Sequence, residues 1–549
     1  MSAPRLAGAV GWPEPVARRY REMGLWTGEP LGAWFDDRAR LFADNLAVID
    51  GARRLSYVEL RRDVARLATG LKRAGIRELD CVVLQLPSSL ELVQALLALS
   101  WIGAVPVLAL PAHRRLELLE FAKRSRARAL IVAARHATTD MLTVAREVQS
   151  QQPSLVSLIA LTGGEALPSP FISLHDLFAE IETPLLESTR GADVALLQLS
   201  GGSTGVPKLI ARTHDDYLYS VRESAALCRL SPQTRFLAAL PMTHNFTLSS
   251  PGVLGVLHAG GAVVACPQPH PAEVLGALVQ HRITLAASVP ALARAWLEAK
   301  PRHLGDLSLP WLTLQIGGAR LDGAQARALL TGFGCRLQQV FGMAEGLVNY
   351  TRPGDSDAVV CETQGRPLSA YDELRIAPLD DPDGPPLAPG EAGELQTRGP
   401  YTIRGYFDAP EINRASFTRD GFYRTGDVVR VTAEGNLVVE GRIGDRIVRG
   451  GEKIAPREVE EHLRQHARIR DVAVVGLPDV VLGEKSHAFV TLLPGDERLS
   501  LPEVRAFLRE RGLADFKLPD ALHVLPELPR TPIGKIDRVV LRRGPALSV

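Results

Sequence analysis

From residue 56 to residue 331, short apolar runs compatible with β-strands alternate with stretches of helical periodicity. The runs are Asp80–Gln85, Leu130–Val132, Ser157–Leu161, Val194–Leu199, Phe236–Ala239, Ala262–Ala265, Leu285–Ser288 and Leu312–Ile316. Helical patterns fall at Ser56–Arg73, Ser88–Ile102, Arg114–Ser125, Pro271–His281, Ala291–Ala299 and Gly323–Thr331. Buried strands separated by helices predict a doubly wound α/β fold, which binds ligands at the carboxyl ends of its strands. Leu92–Pro111 is apolar enough to suggest a membrane span, but Gly103 and Pro106 divide it. A buried helix over 88–102 and a strand over 105–110 of a parallel sheet account for it.

Past residue 365 the texture changes. Asp380–Gly393, rich in Pro, Gly and acid, reads as a turn before short strands at Gly393–Gln396, Gly426–Thr432 and Leu437–Glu440. From about 446 the pattern predicts a small α+β domain. Its elements are helices Pro456–Gln465 and Pro502–Arg511 and strands Val472–Gly476, Ala488–Leu493 and Ala521–Val524. The expected class is therefore α/β: a large N-terminal domain of parallel sheets plus a β-rich subdomain, then a small C-terminal domain. No internal repeat interrupts this order.

Length and charge narrow the class. At 549 residues the chain exceeds one core. With 63 basic against 62 acidic residues there is no electrostatic case for nucleic acid. The basic residues at 114–128 read as a solvated helix face. Five scattered cysteines without a CxxC pair point to a reduced, cytoplasmic protein with no structural zinc. Met1–Pro15 has no apolar core of a secretory signal, and no membrane association is expected.

The chemistry concentrates in polar clusters between apolar elements. Leu199-Ser-Gly-Gly-Ser-Thr-Gly-Val-Pro-Lys208 directly follows the run Val194–Leu199. Its glycines let backbone N–H groups approach phosphate oxygens, while Ser200, Ser203, Thr204 and Lys208 add donors and charge. It lacks the adjacent Gly-Lys-Ser/Thr of a P-loop and by itself is equally compatible with an ordinary turn. Further clusters are Gln338-Gln-Val-Phe-Gly-Met-Ala-Glu345, Tyr423-Arg-Thr-Gly-Asp427, Gly441-Arg442, Arg449-Gly-Gly-Glu-Lys453 and Pro529-Arg-Thr-Pro-Ile-Gly-Lys535. Singly, Asp427 reads as a turn cap, Glu345 as the partner of a surface arginine, and the lysines as solvated charges.

In this order the clusters resemble the adenylate-forming superfamily over about residues 50 to 540. The closest resemblance is to stand-alone aryl-acid adenylating enzymes of siderophore biosynthesis, the 2,3-dihydroxybenzoate–AMP ligases. It is carried by Leu108-Ala-Leu-Pro-Ala-His113, Pro207-Lys-Leu-Ile210, Thr213-His-Asp-Asp-Tyr217, Pro241-Met-Thr-His-Asn-Phe246, Phe341-Gly-Met-Ala-Glu-Gly-Leu-Val-Asn-Tyr350 and Arg398-Gly-Pro-Tyr-Thr-Ile-Arg-Gly-Tyr406.

The resemblance implies two steps: a carboxylate attacks the α-phosphate of ATP with Mg2+, then a phosphopantetheine thiol of a separate aryl carrier protein takes the acyl group. It implies Lys535 as the cation between two approaching anions, with His244 and Lys208 beside it in catalysis. ATP would be held by Ser200, Gly201, Gly202, Ser203, Thr204, Gly205, Gly318, Val340, Glu345, Asp427, Arg442 and Lys535. Glu345 and Thr204 would serve the metal, and Asp427 the ribose hydroxyls. The implied domains are an adenylation domain over 1–443 and a mobile C-terminal domain over 444–549. At the pivot Gly444, followed by Asp445, replaces the superfamily's usual Asp or Lys; Val448 replaces a frequent asparagine. Only residues 536–549 follow Lys535, so no fused carrier domain is expected.

The aryl pocket implied by the resemblance comprises Asn245, Phe246, Ser250, Gly317, Gly318, Ala319, Val340 and Val348. Asn245 stands where amino-acid adenylating relatives place an aspartate for the substrate ammonium, which suits an acid without an amine. Ser250 offers a hydroxyl to a ring 3-OH where salicylate enzymes tend to carry cysteine. Val348 leaves room where they carry Leu or Ile. These expectations point to 2,3-dihydroxybenzoate. Salicylate or another hydroxybenzoate, an aryl-CoA synthetase, a luciferase-like oxygenase and a non-catalytic homologue are the competing readings.

Overall fold

The protein is described by a computed structural model covering residues 4–543 except 201–206, 446, 450–451, 480–481, 496–497, 512, 514 and 532–533. The side chains of Val448, Glu452 and Lys453 also lie outside the description. Two compact units divide the chain. One runs over Met1–Gly202, Val206–Leu374 and Thr397–Tyr423, the other over Arg375–Gln396 and Arg424–Val549.

Among the described residues, the first unit is built on two large sheets. A nine-stranded sheet has a parallel centre formed by Arg336–Gly342, Thr313–Gly317, Leu285–Ser288, Arg235–Ala238, Ala262–Ala265 and Leu46–Asp50. Val348–Tyr350 and Arg53–Ser56 pair antiparallel on its two flanks. A seven-stranded sheet runs Leu209–Thr213, Val194–Leu199, Val105–Leu108, Cys81–Gln85, Ala129–Ala133, Ser157–Leu161, Ile172–Ser173, and only Leu209–Thr213 is antiparallel. The expected doubly wound α/β class is what the fold shows.

Local chemistry sets the helix boundaries. Helix Tyr57–Arg73 starts where the Ser56 side chain accepts from the Glu59 N–H and Glu59 accepts from the Ser56 N–H, a reciprocal cap that satisfies two orphan donors. Ser89 caps helix Leu90–Trp101, every residue of which is buried, and strand Val105–Leu108 follows. The apolar stretch is thus a core helix and strand. Among the described residues no helix is long and apolar enough to cross a membrane.

The second unit draws its strands mostly from two smaller sheets. In one, Tyr423–Val431 pairs antiparallel with Leu437–Arg442. In the other, Ile469–Asp479 and Gly483–Leu492 form a long antiparallel ladder, with Ala521–Val524 parallel to the second strand. Both long strands outrun the expected Val472–Gly476 and Ala488–Leu493. Hydropathy marks the continuous apolar segments that pack on buried Val459, Leu463 and Val504, whereas the ladder runs on through mixed stretches that include Asp471, Asp479, Glu484, Lys485 and Ser486, paired through their backbones.

Candidate active site

The short helix Asn245–Ser249 carries two of the expected pocket residues, Asn245 and Phe246, and a third, Ser250, follows at its C-cap. His244 caps it, its Nδ1 accepting from the Phe246 N–H at 3.3 Å. Asn245 is buried, and its Oδ1 accepts from Tyr217 Oη at 3.1 Å and from Ser249 Oγ at 3.1 Å. Phe246 lies against strand Thr313–Gly317: a Cβ added at Gly317 would sit 3.0 Å from its ring and 2.9 Å from the Val340 carbonyl. Only glycine lets the ring and strand approach so closely. Gly317 pairs with Val340, Val340 with Tyr350, and Gly342 with Val348. Phe246, Gly317 and Val340 are thereby brought together, with Asn245 next to Phe246 on the helix. Gly318 follows at φ +79°, and Ala319 stands exposed on the turn beyond.

Ser250 is buried at the end of the same helix, its N–H donating to the Phe246 carbonyl at 3.3 Å. Val348 and Tyr350 point to one face of their strand. Tyr350 reaches both Ser224 Oγ, at 3.1 Å, and the Ser250 side chain. The Val348 N–H donates to Tyr401 Oη at 3.2 Å, and Tyr401 Oη donates to Asp372 Oδ2 at 2.6 Å. The other Asp372 oxygen is enclosed without a hydrogen-bond partner.

Burial pushes the Asp372 carboxyl up to about 7, only partly opposed by the Tyr401 hydrogen bond. A folded pKa above the unfolded value means that its stabilising contribution is complete below about pH 4 and lost as pH rises through about 7. Asp372→Asn is therefore expected to melt progressively closer to, or above, wild type between about pH 5 and pH 8. Thermal melts across that range check this; a difference independent of pH would contradict it.

A second cluster in the first unit joins Lys208 and Glu345. Ser200 and Lys208 close the intervening loop: the Ser200 N–H donates to the Lys208 carbonyl at 3.0 Å, and the Lys208 N–H to Ser200 Oγ at 2.9 Å. The expected phosphate contacts at Gly201, Gly202, Ser203, Thr204 and Gly205 fall outside the described residues. Lys208 Nζ lies 4.5 Å from the Tyr406 ring centroid, and Tyr406 Oη donates to buried Glu345 Oε1 at 2.8 Å. Tyr423 Oη is 2.9 Å from Tyr406 Oη.

The second unit holds the remaining charged residues. Register places Asp427 opposite Arg442, whose Nε donates to Asp427 Oδ1 at 2.9 Å. Burial raises the Asp427 pKa, opposed by the positive charges of Arg442 and Lys535. Lys535 sits in a turn tied by the Thr531 N–H to the Lys535 carbonyl at 2.7 Å and by the Lys535 N–H to Thr531 Oγ1 at 3.2 Å. Gly444 and Asp445 lie in the short turn Ile443–Asp445, where Arg542 Nη2 donates to the Gly444 carbonyl at 3.0 Å and to Asp445 Oδ1 at 2.8 Å.

Tyr217, Ser249, Tyr401, Tyr406 and Tyr423 were not singled out from the sequence. Tyr217, Tyr401, Tyr406 and Tyr423 lie inside the polar motifs quoted above, the only signal that pointed to them. Among the described residues no three His, Cys, Asp or Glu side chains form a metal cage. Magnesium is commonly held by one or two carboxylates together with substrate phosphates. Glu345 is a carboxylate of that kind.

A parallel α/β fold with these clusters defines an adenylate-forming enzyme, and comparison with known proteins agrees. The chain belongs to the AMP-binding enzyme family, whose profile matches residues 35–407, and the profile of the AMP-binding enzyme C-terminal domain matches residues 458–535. It is 48% identical over 540 residues to the 2,3-dihydroxybenzoate-AMP ligase of Bacillus subtilis, covering 98% of each chain. It is 44% identical over 548 residues to the salicyl-AMP ligase / salicyl-S-ArCP synthetase of Mycobacterium tuberculosis, covering 98% of this chain and 94% of that one. The apo structure of Mycobacterium smegmatis MbtA superposes with a TM-score of 0.75 at 43% identity, covering 98% of this chain and 99% of that one.

Proposed function

We propose that the protein activates 2,3-dihydroxybenzoate as its acyl-adenylate and passes the acyl group to the phosphopantetheine thiol of a separate aryl carrier protein. The observation that carries the reading is the neutral, buried Asn245 on the helix that also supplies Phe246 and ends at Ser250. An amide at that position can hydrogen-bond an ortho hydroxyl, and it would leave a substrate ammonium without the carboxylate it needs. Salicylate is the competing substrate, because relatives named for salicylate are 44% identical to this chain.

In the first step a substrate carboxylate oxygen bonds to the α-phosphorus of ATP and pyrophosphate leaves. Lys535 supplies positive charge between the reacting anions, Lys208 and the 200–205 loop hold the departing phosphates, and Asp427 with Arg442 takes the ribose. Magnesium, held through Glu345 and Thr204, would neutralise phosphate charge. In the second step the carrier thiol attacks the acyl carbon and AMP leaves. The C-terminal domain over 444–549 turns about Gly444 and Asp445 between the two steps.

The test is ATP–pyrophosphate exchange with benzoate, salicylate, 3-hydroxybenzoate, 2,3-dihydroxybenzoate and amino acids. The largest kcat/KM is expected for 2,3-dihydroxybenzoate, and a preference for any of the others would reject the substrate. Replacing Ser250 with Cys and Val348 with Leu should move the 2,3-dihydroxybenzoate to salicylate ratio by about tenfold or more towards salicylate. An unchanged ratio would reject the pocket assignment. Turnover on a phosphopantetheinylated carrier against turnover on coenzyme A separates a carrier-loading enzyme from an aryl-CoA synthetase.

A further inference from the structure

Behind Asn245 lies a chain of buried polar groups that the reaction itself does not use. Gln198 Nε2 donates to Tyr217 Oη at 3.3 Å, and Tyr217 Oη donates to Asn245 Oδ1 at 3.1 Å. Ser249 Oγ, one helical turn on, contacts Asn245 Oδ1 at 3.1 Å and the Asn245 carbonyl at 3.2 Å. Gln198, Tyr217 and Ser249 are each no more than 2% exposed, so water does not compete for these bonds. The Tyr217 ring is itself fixed: the Arg212 guanidinium lies 4.8 Å from its centroid. Arg212 in turn is anchored to Asp216 at 2.6 Å and to the Ala344 and Tyr401 carbonyls at 3.0 and 3.2 Å.

As placed, the network turns the nitrogen end of the Asn245 amide towards a ligand. Gln198 occupies a lone pair of the phenol oxygen, which directs the phenolic hydrogen to Asn245 Oδ1. With Oδ1 held by two hydroxyls, the Nδ2 hydrogens remain as the group offered to the aryl ring. An ortho hydroxyl that donates internally to its own carboxylate presents lone pairs outward and matches that donor. An ortho amine presents hydrogens and does not.

We infer that Tyr217, seconded by Ser249, is a positioning residue that locks Asn245 as a donor and so restricts the enzyme to aryl acids with a hydrogen-bond-accepting ortho group. The inference rests on the reading of Asn245 as the residue facing the ortho position. It adds the discrimination of hydroxyl from amine, and assigns that discrimination to residues which do not touch the substrate.

The test measures ATP–pyrophosphate exchange by the whole protein with 2-hydroxybenzoate, 2-aminobenzoate and benzoate. Wild type is expected to favour 2-hydroxybenzoate over 2-aminobenzoate by about 100-fold or more in kcat/KM, since a mismatched donor leaves buried groups unpaired. Tyr217→Phe, which keeps the ring under Arg212, should shrink that ratio about tenfold, and Ser249→Ala by a smaller factor. A purely structural role would lower kcat/KM for all three acids alike, and unchanged ratios in both variants would overturn the inference. So would a wild-type preference for 2-aminobenzoate, the signature of the reversed polarity in which Nδ2 donates to Tyr217. Should Tyr217→Phe fail to fold, Ser249→Ala decides by the same ratios. Asn245→Ala separates the two levels. If it leaves the 2-hydroxybenzoate to benzoate ratio at the wild-type value, the reading of Asn245 falls and takes the inference with it. If that ratio drops while the Tyr217 and Ser249 variants keep theirs, the inference alone falls.

Discussion

Lys535→Ala is expected to lower the rate of adenylate formation by about 100- to 1,000-fold, or about 2.7–4 kcal/mol of transition-state stabilisation, while weakening ATP binding far less. Two anions, the substrate carboxylate and the α-phosphate, must come into bonding distance, and the cation proposed to lie between them matters most as they meet. The turn around Lys535 is held by backbone groups, the Thr531 N–H to the Lys535 carbonyl and the Gly534 N–H to the Thr531 carbonyl at 2.8 Å, and neither involves the ammonium. Asp427 loses one of the two positive charges acting on it but keeps the direct bond from Arg442. Single-turnover adenylation beside equilibrium ATP binding makes the comparison. Equal losses in both would show that Lys535 acts on the ground state and reject its proposed role.

The fold was legible wherever burial is uniform. Strands such as Ala262–Ala265 and Leu285–Ser288, covered on both faces, are continuous apolar runs, and the all-buried helix Leu90–Trp101 announced itself in the same way. Helix His214–Leu227 was missed because its first turn is polar although buried. Arg212 neutralises Asp216, whose carboxylate also accepts from the Thr213 N–H, and such pairing is invisible to hydropathy. The same holds at the site. Charged residues in glycine-rich clusters, such as Glu345, Asp427 and Lys535, could be singled out by type and order. Tyr217 and Tyr406 could not, because a tyrosine ring is as good a core residue as a functional one until a partner fixes its hydroxyl. Those partners, Asn245 and Glu345, lie 28 and 61 residues from them along the chain, and only the fold brings each pair together.

Glu345→Gln is expected to reduce ATP–pyrophosphate exchange by about 100-fold at limiting Mg2+ and to raise the Mg2+ concentration needed for half-maximal rate by about tenfold. The substitution isolates charge from shape. Glutamine keeps the volume and can still accept from Tyr406 Oη through Oε1, the bond made at 2.8 Å in the native protein. The backbone is also retained, because the Ile403 N–H donates to the Glu345 carbonyl at 2.8 Å whatever the side chain. What disappears is the negative charge beside a tyrosine that also lies under Lys208. Tyr406→Phe provides the converse. It leaves the charge and removes one hydrogen bond to a carboxylate, worth about 1.5–3 kcal/mol, so it should loosen the carboxylate without changing the need for Mg2+ as steeply. Titrating Mg2+ in both variants distinguishes a carboxylate that serves the metal from one that only holds Tyr406. In the second case Glu345→Gln would behave as wild type at every Mg2+ concentration, and Tyr406→Phe would be the more damaging change.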